Sequence, residues 1–414
     1  MRTMHHQSEK GQAVIFLILG LTIFMGFLAL AIDGGMVYAD RRNAQNVADS
    51  AALAGAAAAS LYLEDHQIYY NSWDCDSWGI YHAKVAGLDA AINRAAANNM
   101  AIDADNTDLN GVLVTCGQQF NGTYTERFID ITVDISQATT TTFAHLLMSD
   151  ESLSNHVVAV TRIHPRMPMA FGNAIVALNP AGCSGNSNGI VIHGNATVYV
   201  DGGGAFSNGC LQGNGQPVMD VTNGTIAYIE DFNPGNADWE PAPIQATAPI
   251  PAEQYALPEP DCTGHWVSSL DGTLDPGLYC ISGDLKINAN KTVVGHGVTI
   301  YIPNGKVQIN GNATLQLTAP VANPDPSPAI PGVLFYMPPS NSNTMKINGT
   351  SDSYLQGSII APGADIEILG TGAVNGYRTQ VIGWNVRVGG TADTFVLFNA
   401  NDQYSKPTTM ELFR

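Results

Sequence analysis

GQAVIFLILGLTIFMGFLALAIDGGMVYADRRNAQNVADSAALAGA, residues 11–56, opens on an unbroken apolar run and continues past it without a proline. Gln12 to Ile32 carry no charge. At about 1.5 Å per helical residue the run matches a hydrocarbon core of about 30 Å. The reading is a transmembrane helix over 12–32, with residues 1–11 as a cytoplasmic stub. Arg2 and Lys10 precede the run as they would in a secretory signal. No small-x-small cleavage site closes it before Asp33, so an uncleaved anchor is expected. Arg41 and Arg42 weaken the positive-inside contrast, and the expectation of an extracytoplasmic C-terminal bulk rests on the cysteines and the glycine-rich remainder.

Beyond Gly34 and Gly35, strong helix formers carry the helix on. Ala44, Ala48, Ala52, Gly55 and Ala59 recur at three- or four-residue spacing, a small-residue stripe that permits close helix approach. Such a stripe serves either the spine of an assembled fibre or an ordinary packing helix after an anchor. Residues 77–100 read as a second amphipathic helix, with Ile80, Val85, Leu88, Ala91, Ile92 and Ala95 on one side. VLVTC (112–116), FIDITVDIS (128–136) and HVVAVTRI (156–163) have strand character, and AHLLMS (144–149) reads as a short helix. One helix on a small antiparallel sheet is the expected arrangement for 33–168.

Gly11 before the span, Asp33 at its end, Tyr38, the pair Arg41 and Arg42, and Gln45-Asn46 leading into Asp49 and Gly55 together resemble the N-terminal signature of the TadE/TadG-like family of Flp (Tad) pilus-assembly proteins. The resemblance is dense over roughly the first sixty residues and thin to about residue 165. It implies a membrane-anchored, pilin-like component that works beside other Tad pilus proteins. Prepilins cut by a prepilin peptidase usually carry glutamate five residues after the cleaved glycine; here that position is Phe16. The departure sets the segment with TadG-like accessory proteins, which resemble anchored components more than fibre subunits.

HPRMPM (164–169) marks a linker, because its prolines do not fit inside a ladder. After it, short β runs alternate with Asn-Gly and Gly-Gly turns, as in VIHGNATVYVDGGG (191–204), VQINGNATLQL (307–317) and VRVGGTADTFVLF (386–398). The spacing is near twenty residues once ANPDPSPAIPG (322–332) is set aside as an excursion. That period points to a parallel β-helix over 169–414. An antiparallel β-sandwich is the alternative, since Asn-Gly is also a hairpin signal. Residues 232–263, rich in proline and acid, are expected to leave the repeat as a long wrapping loop. The fold class is thus α+β followed by all-β.

Charged residues make up 13% of the chain, against roughly 25% in typical domains, and the net charge is −19. A surface so poor in cations argues against nucleic acid as a partner. The six cysteines fall into sequence-local candidate pairs, Cys75 with Cys116, Cys183 with Cys210, and Cys262 with Cys280, one of many connectivities open to six thiols. None forms a CxxC, so no zinc ribbon or redox motif is read, and disulfides in an oxidising compartment are expected.

Asp365 and Glu367 alternate on one strand, a spacing open to paired carboxylates or a cation. The eight Lys and Arg residues past Pro168 show no evident cluster in sequence, so an exposed acidic face is the reading. No catalytic residue, cofactor or metal ligand is assigned, and no enzyme is expected. Trp239, Trp266, Tyr301, Tyr336, Tyr377 and Trp384 are candidates for stacking on sugar rings. The Asn-x-Thr triplets at Asn121, Asn195, Asn223, Asn290, Asn312 and Asn348 read as turn residues rather than glycosylation acceptors. The function read is a single-pass membrane protein that presents a solenoid for adhesion or scaffolding, with the membrane, other Tad components, a second copy and a surface glycan as partners. The alternatives are a filament-forming subunit and a carbohydrate-active β-helix enzyme.

Overall fold

The computed structural model describes residues 12–104, 110–143, 152–185, 188–322, 324–348, 352–369 and 376–413. Gly11 and the short helix expected over 144–149 lie outside the described residues. The chain divides into two compact units: Met1–Gln118 with Arg127–Arg166 and Thr408–Arg414, and Gln119–Glu126 with Met167–Pro407.

In the first unit, α1 (Gln12–Asp65) is one continuous helix of 54 residues. A second helix, α2 (Trp78–Ala97), starts at Ser77, whose Oγ accepts the Ile80 amide at 3.3 Å, an N-cap. Three strands follow: β1 (Gly111–Phe120), β2 (Thr125–Thr140) and β3 (Ser152–His164). β2 and β3 pair antiparallel from Ile129↔Ile163 to Thr140↔Ser152. Ile129, Ile131, Val133 and Ile135 alternate along β2 into the core. The other side of that core comes from Ala44, Ala48, Ala52 and Ala59 of α1 with Ala83, Ala91 and Ala95 of α2.

Two differences from the sequence reading stand out. Both helices pack in this unit, where one was expected, because the stripe on α1 faces α2: a Cβ on Gly55 would lie 2.7 Å from the Gly87 carbonyl oxygen and 3.0 Å from Ile131 Cδ1. Only glycine permits that approach. Further, the strand Thr409–Phe413 leaves the second domain expected over 169–414 and pairs antiparallel with β3. It completes the four-stranded sheet in the order β1, β2, β3, C-terminal strand. Glu64 ties this closure, accepting from the Thr408 hydroxyl at 2.6 Å and pairing with Arg166 at 3.0 Å.

The second unit is built on a 23-stranded sheet whose described pairings are all parallel, which an antiparallel sandwich does not allow. Many strands pair with the strand one pass later, 21 or 22 residues on, as in Thr197↔Val218, Gly277↔Val298 and Lys286↔Gln308. Across the excursion at 322–332 the offset lengthens, as in Val307↔Met345. Three columns of strands result. The first runs through Ile226–Tyr228, Gly204–Ser207 and Asn173–Ala177 to Val298–Tyr301 and Gly277–Ile281. The second includes Ile190–Gly194, Met345–Asn348 and Leu285–Ile287. The third includes Thr197–Asp201 and Thr292–His296. Alternate Ile, Val and Leu side chains point inward and stack into one core.

Pass order does not follow chain order. Asn173–Ala177 lies mid-column, between Gly204–Ser207 and residues 381–383. The chain first builds outward to Ile244–Gln245 at one end. It resumes at the other end with Trp266–Val267 and winds back until Tyr377–Gly390 closes on the first pass. The expected loop over 232–263 is therefore shorter: Asp231–Asn233, Asp238–Glu240 and Ile244–Gln245 still pair in register. Residues 246–265 make the traverse. They bury Ile250, Tyr255 and Leu257 against Phe206, Tyr301 and Tyr336 of the first column, and the Cys262–Cys280 disulfide fixes the far end.

Candidate membrane anchor and interaction faces

The side chains of α1 invert the usual rule over its first half. Phe16, Leu17, Phe24 and Phe27 are among the large apolar residues from Val14 to Ile32 that stand 46–71% exposed, although residues of this kind are ordinarily buried. Thr22 satisfies its own hydroxyl by donating to the Ile18 carbonyl at 2.8 Å. Among the described residues, this is the one helix long and apolar enough to cross a membrane.

Packing begins abruptly at Asp33, which is 2% exposed. Its carboxylate accepts the amides of Thr142 and Phe143, each at 2.9 Å. One and two turns on, Asn155 donates to the Val37 carbonyl at 3.2 Å and Thr139 to Asp40 at 2.7 Å. Gln45 donates to Asp49 at 2.7 Å, and Gly55 sits in the helix seam. These signature positions serve the unit's own fold. Tyr38, Arg41, Arg42 and Asn46 are exposed.

Three disulfides join Cys75 to Cys116, Cys183 to Cys210 and Cys262 to Cys280. No free cysteine occurs among the described residues. Each bond closes a loop of 41 residues or fewer.

On the second column Asp365 and Glu367 do point the same way, outward, but each is engaged. Glu367 pairs with Lys346 at 2.8 Å, with His193 Nε2 4.0 Å away, and Asp365 accepts from Asn385 Nδ2 at 2.8 Å. The acidic face expected from sequence is therefore a mixed-charge one. Burial, and after it the Arg387 charge, holds His193 below the ordinary imidazole range, while Glu367 pulls the other way.

Of the aromatic candidates, Tyr301, Tyr336 and Tyr377 are core residues. The Tyr336 hydroxyl donates to the Leu257 carbonyl at 2.9 Å beneath the traverse, and burial pushes the Tyr301 phenol up to about 12. Trp239 is partly buried against the core, while Trp266 and Trp384 remain exposed. An exposed aromatic cluster lies elsewhere: Trp78 and Tyr81 on α2 flank His82, with Tyr62 of α1 stacked at 3.9 Å on His66 just past its end. Sequence reading took 77–100 as a packing helix, and only the outward spacing of Trp78 and Tyr81 signals this patch. Asn223, Asn290 and Asn312 adopt left-handed backbone at turns, a conformation that asparagine tolerates.

Residues 11–58 match the family model described as Putative Flp pilus-assembly TadE/G-like. No curated protein and no solved structure matches the chain.

Proposed function

We propose that the protein is a single-pass, membrane-anchored accessory component of a Tad-type pilus system, with both units outside the cytoplasm and the stub over 1–11 within it. The second unit, on this reading, winds as a parallel β-helix and presents its outer faces for adhesion or scaffolding. The observation that carries the proposal is the change along α1, inside the 11–58 match: bare apolar surface before the buried Asp33, and a buried stripe from Ala44 through Gly55 after it. A helix so divided fits a lipid anchor joined rigidly to a folded unit. The disulfides support an oxidising compartment.

Neither alternative is favoured. A fibre built on the small-residue stripe would need Gly55 and Ala59 free, yet both face α2. A paired-carboxylate enzyme would need Asp365 and Glu367 acting together, and each has its own partner.

The test is made in the native cell. The full chain is expected to pellet with the inner membrane, to lose its mass to protease added to spheroplasts, and to co-purify with the Tad platform after mild crosslinking. Protection from protease would overturn the topology; absence of every pilus component from the crosslinked material would overturn the accessory role.

A further inference from the structure

The second unit carries few cations, and register lines three of them up. Lys286↔Gln308, Gln308↔Lys346, Lys346↔Glu367 and Glu367↔Arg387 are successive pairs across the second column. Their neighbours on either side along each strand point inward and are buried, so these five side chains form one outward row. At about 4.8 Å per strand, Lys286, Lys346 and Arg387 recur about every 9.6 Å. The row stops against Val191 and Gln212, the next in-register positions, both buried.

The pairing along this row is incomplete. Glu367 turns to Lys346, and among the described residues Arg387 makes no hydrogen bond or ion pair; its buried Nε has no partner. His193 Nε2 is likewise buried without a hydrogen bond. His193 pairs in register with Gly389, where a Cβ would fall 2.0 Å from the His193 carbonyl oxygen, and Arg387 lies two residues before that glycine. Arg387 is itself half-buried, so its Nε stays out of a ligand's reach, and a ligand carboxylate would pair with the terminal guanidinium nitrogens. Two residues before the row, Lys306 lies 3.8 Å from Asp284 and Asp365 accepts from Asn385.

We infer that this row binds a linear acidic polysaccharide bearing a carboxylate on every second sugar, laid along the column with Arg387 as its anchoring residue. The two-strand cation interval is about the length of a disaccharide. An extended peptide puts like-facing side chains about every 6.8 Å, which does not fit. Gln308 and Glu367, lying between the cations, are placed to hydrogen-bond the intervening hydroxyls. The inference deepens the adhesion reading and stands apart from the Tad assignment, since it is tested on the purified chain.

The full chain in detergent micelles is titrated calorimetrically with hyaluronan oligosaccharides, with chito-oligosaccharides of equal length, and with a poly-glutamate peptide. Hyaluronan is expected to bind, and the uncharged and peptide probes to bind at least tenfold more weakly. Arg387→Gln should weaken hyaluronan roughly tenfold or more. Lys286→Gln, an exposed change harmless to folding, should weaken it by a smaller factor. Equal binding of the chito-oligosaccharide, equal binding of poly-glutamate, no hyaluronan binding, or an affinity unmoved by Lys286→Gln would each overturn the inference.

Discussion

Within α1 the two halves obey opposite rules. Before Asp33 the large side chains Leu, Ile and Phe are exposed and nothing packs on them; from Ala44 on, the alanines of one stripe and Gly55 are buried, while Arg41, Arg42, Asn43 and Asn46 are among the exposed positions. The same backbone geometry runs through both, so the difference lies in what each half meets, which on the reading proposed above is lipid for the first and protein for the second. Lipid accepts bulky apolar surface without a protein partner, whereas the second half gains its stability from close approach to α2 and β2.

The comparison is most severely tested by one substitution placed twice. Gly55→Leu should unfold or strongly destabilise the first unit, since overpacking costs about 1–3 kcal/mol and here the obstacle is the Gly87 backbone. Gly20→Leu, with nothing within 4 Å of its added Cβ, should leave thermal unfolding unchanged. Next, Leu63→Ala should cost about 2–5 kcal/mol, because Leu63 is 1% exposed, while Leu19→Ala should cost nothing measurable in the same melt. At the boundary, Asp33→Ala strands two backbone amides and should cost about 1–3 kcal/mol, with faster hydrogen exchange confined to Thr142 and Phe143. Smallest is a pH effect in the second unit. His193 has a folded pKa below its unfolded value, so the unfolded chain binds more protons and stability falls as pH drops below about 6.5. His193→Gln should flatten part of that acid slope; an unchanged slope would remove His193 as its source.

The long apolar helix was legible because an apolar run ending on Asp33 depends only on local composition. The period near twenty was legible for a related reason: every pass must offer the same inward pattern to stack. That same uniformity hides which pass lies beside which. Nothing in Asn173–Ala177 singles out residues 381–383 as its neighbour. The row of Lys286, Lys346 and Arg387 was invisible too, because register alone aligns residues 60 and 41 positions apart in the chain. Which of the aromatic candidates face the core was not legible, because the residues 246–265 that cover Tyr301 and Tyr336 belong to a traverse whose path composition does not reveal.

The mid-column position of the first pass bears on how this protein is made. Residues 381–383 and 386–390 supply the neighbours of the first pass, and Thr409–Phe413 supplies the last strand of the other unit. During synthesis both sheets therefore wait, edges open, for roughly the same stretch of chain. Contacts spanning about two hundred residues form slowly, and open edges invite pairing with other chains. A ribosome stalled before residue 377 would leave two unfinished sheets, so the cell has reason to guard the nascent chain until its final strands have been made.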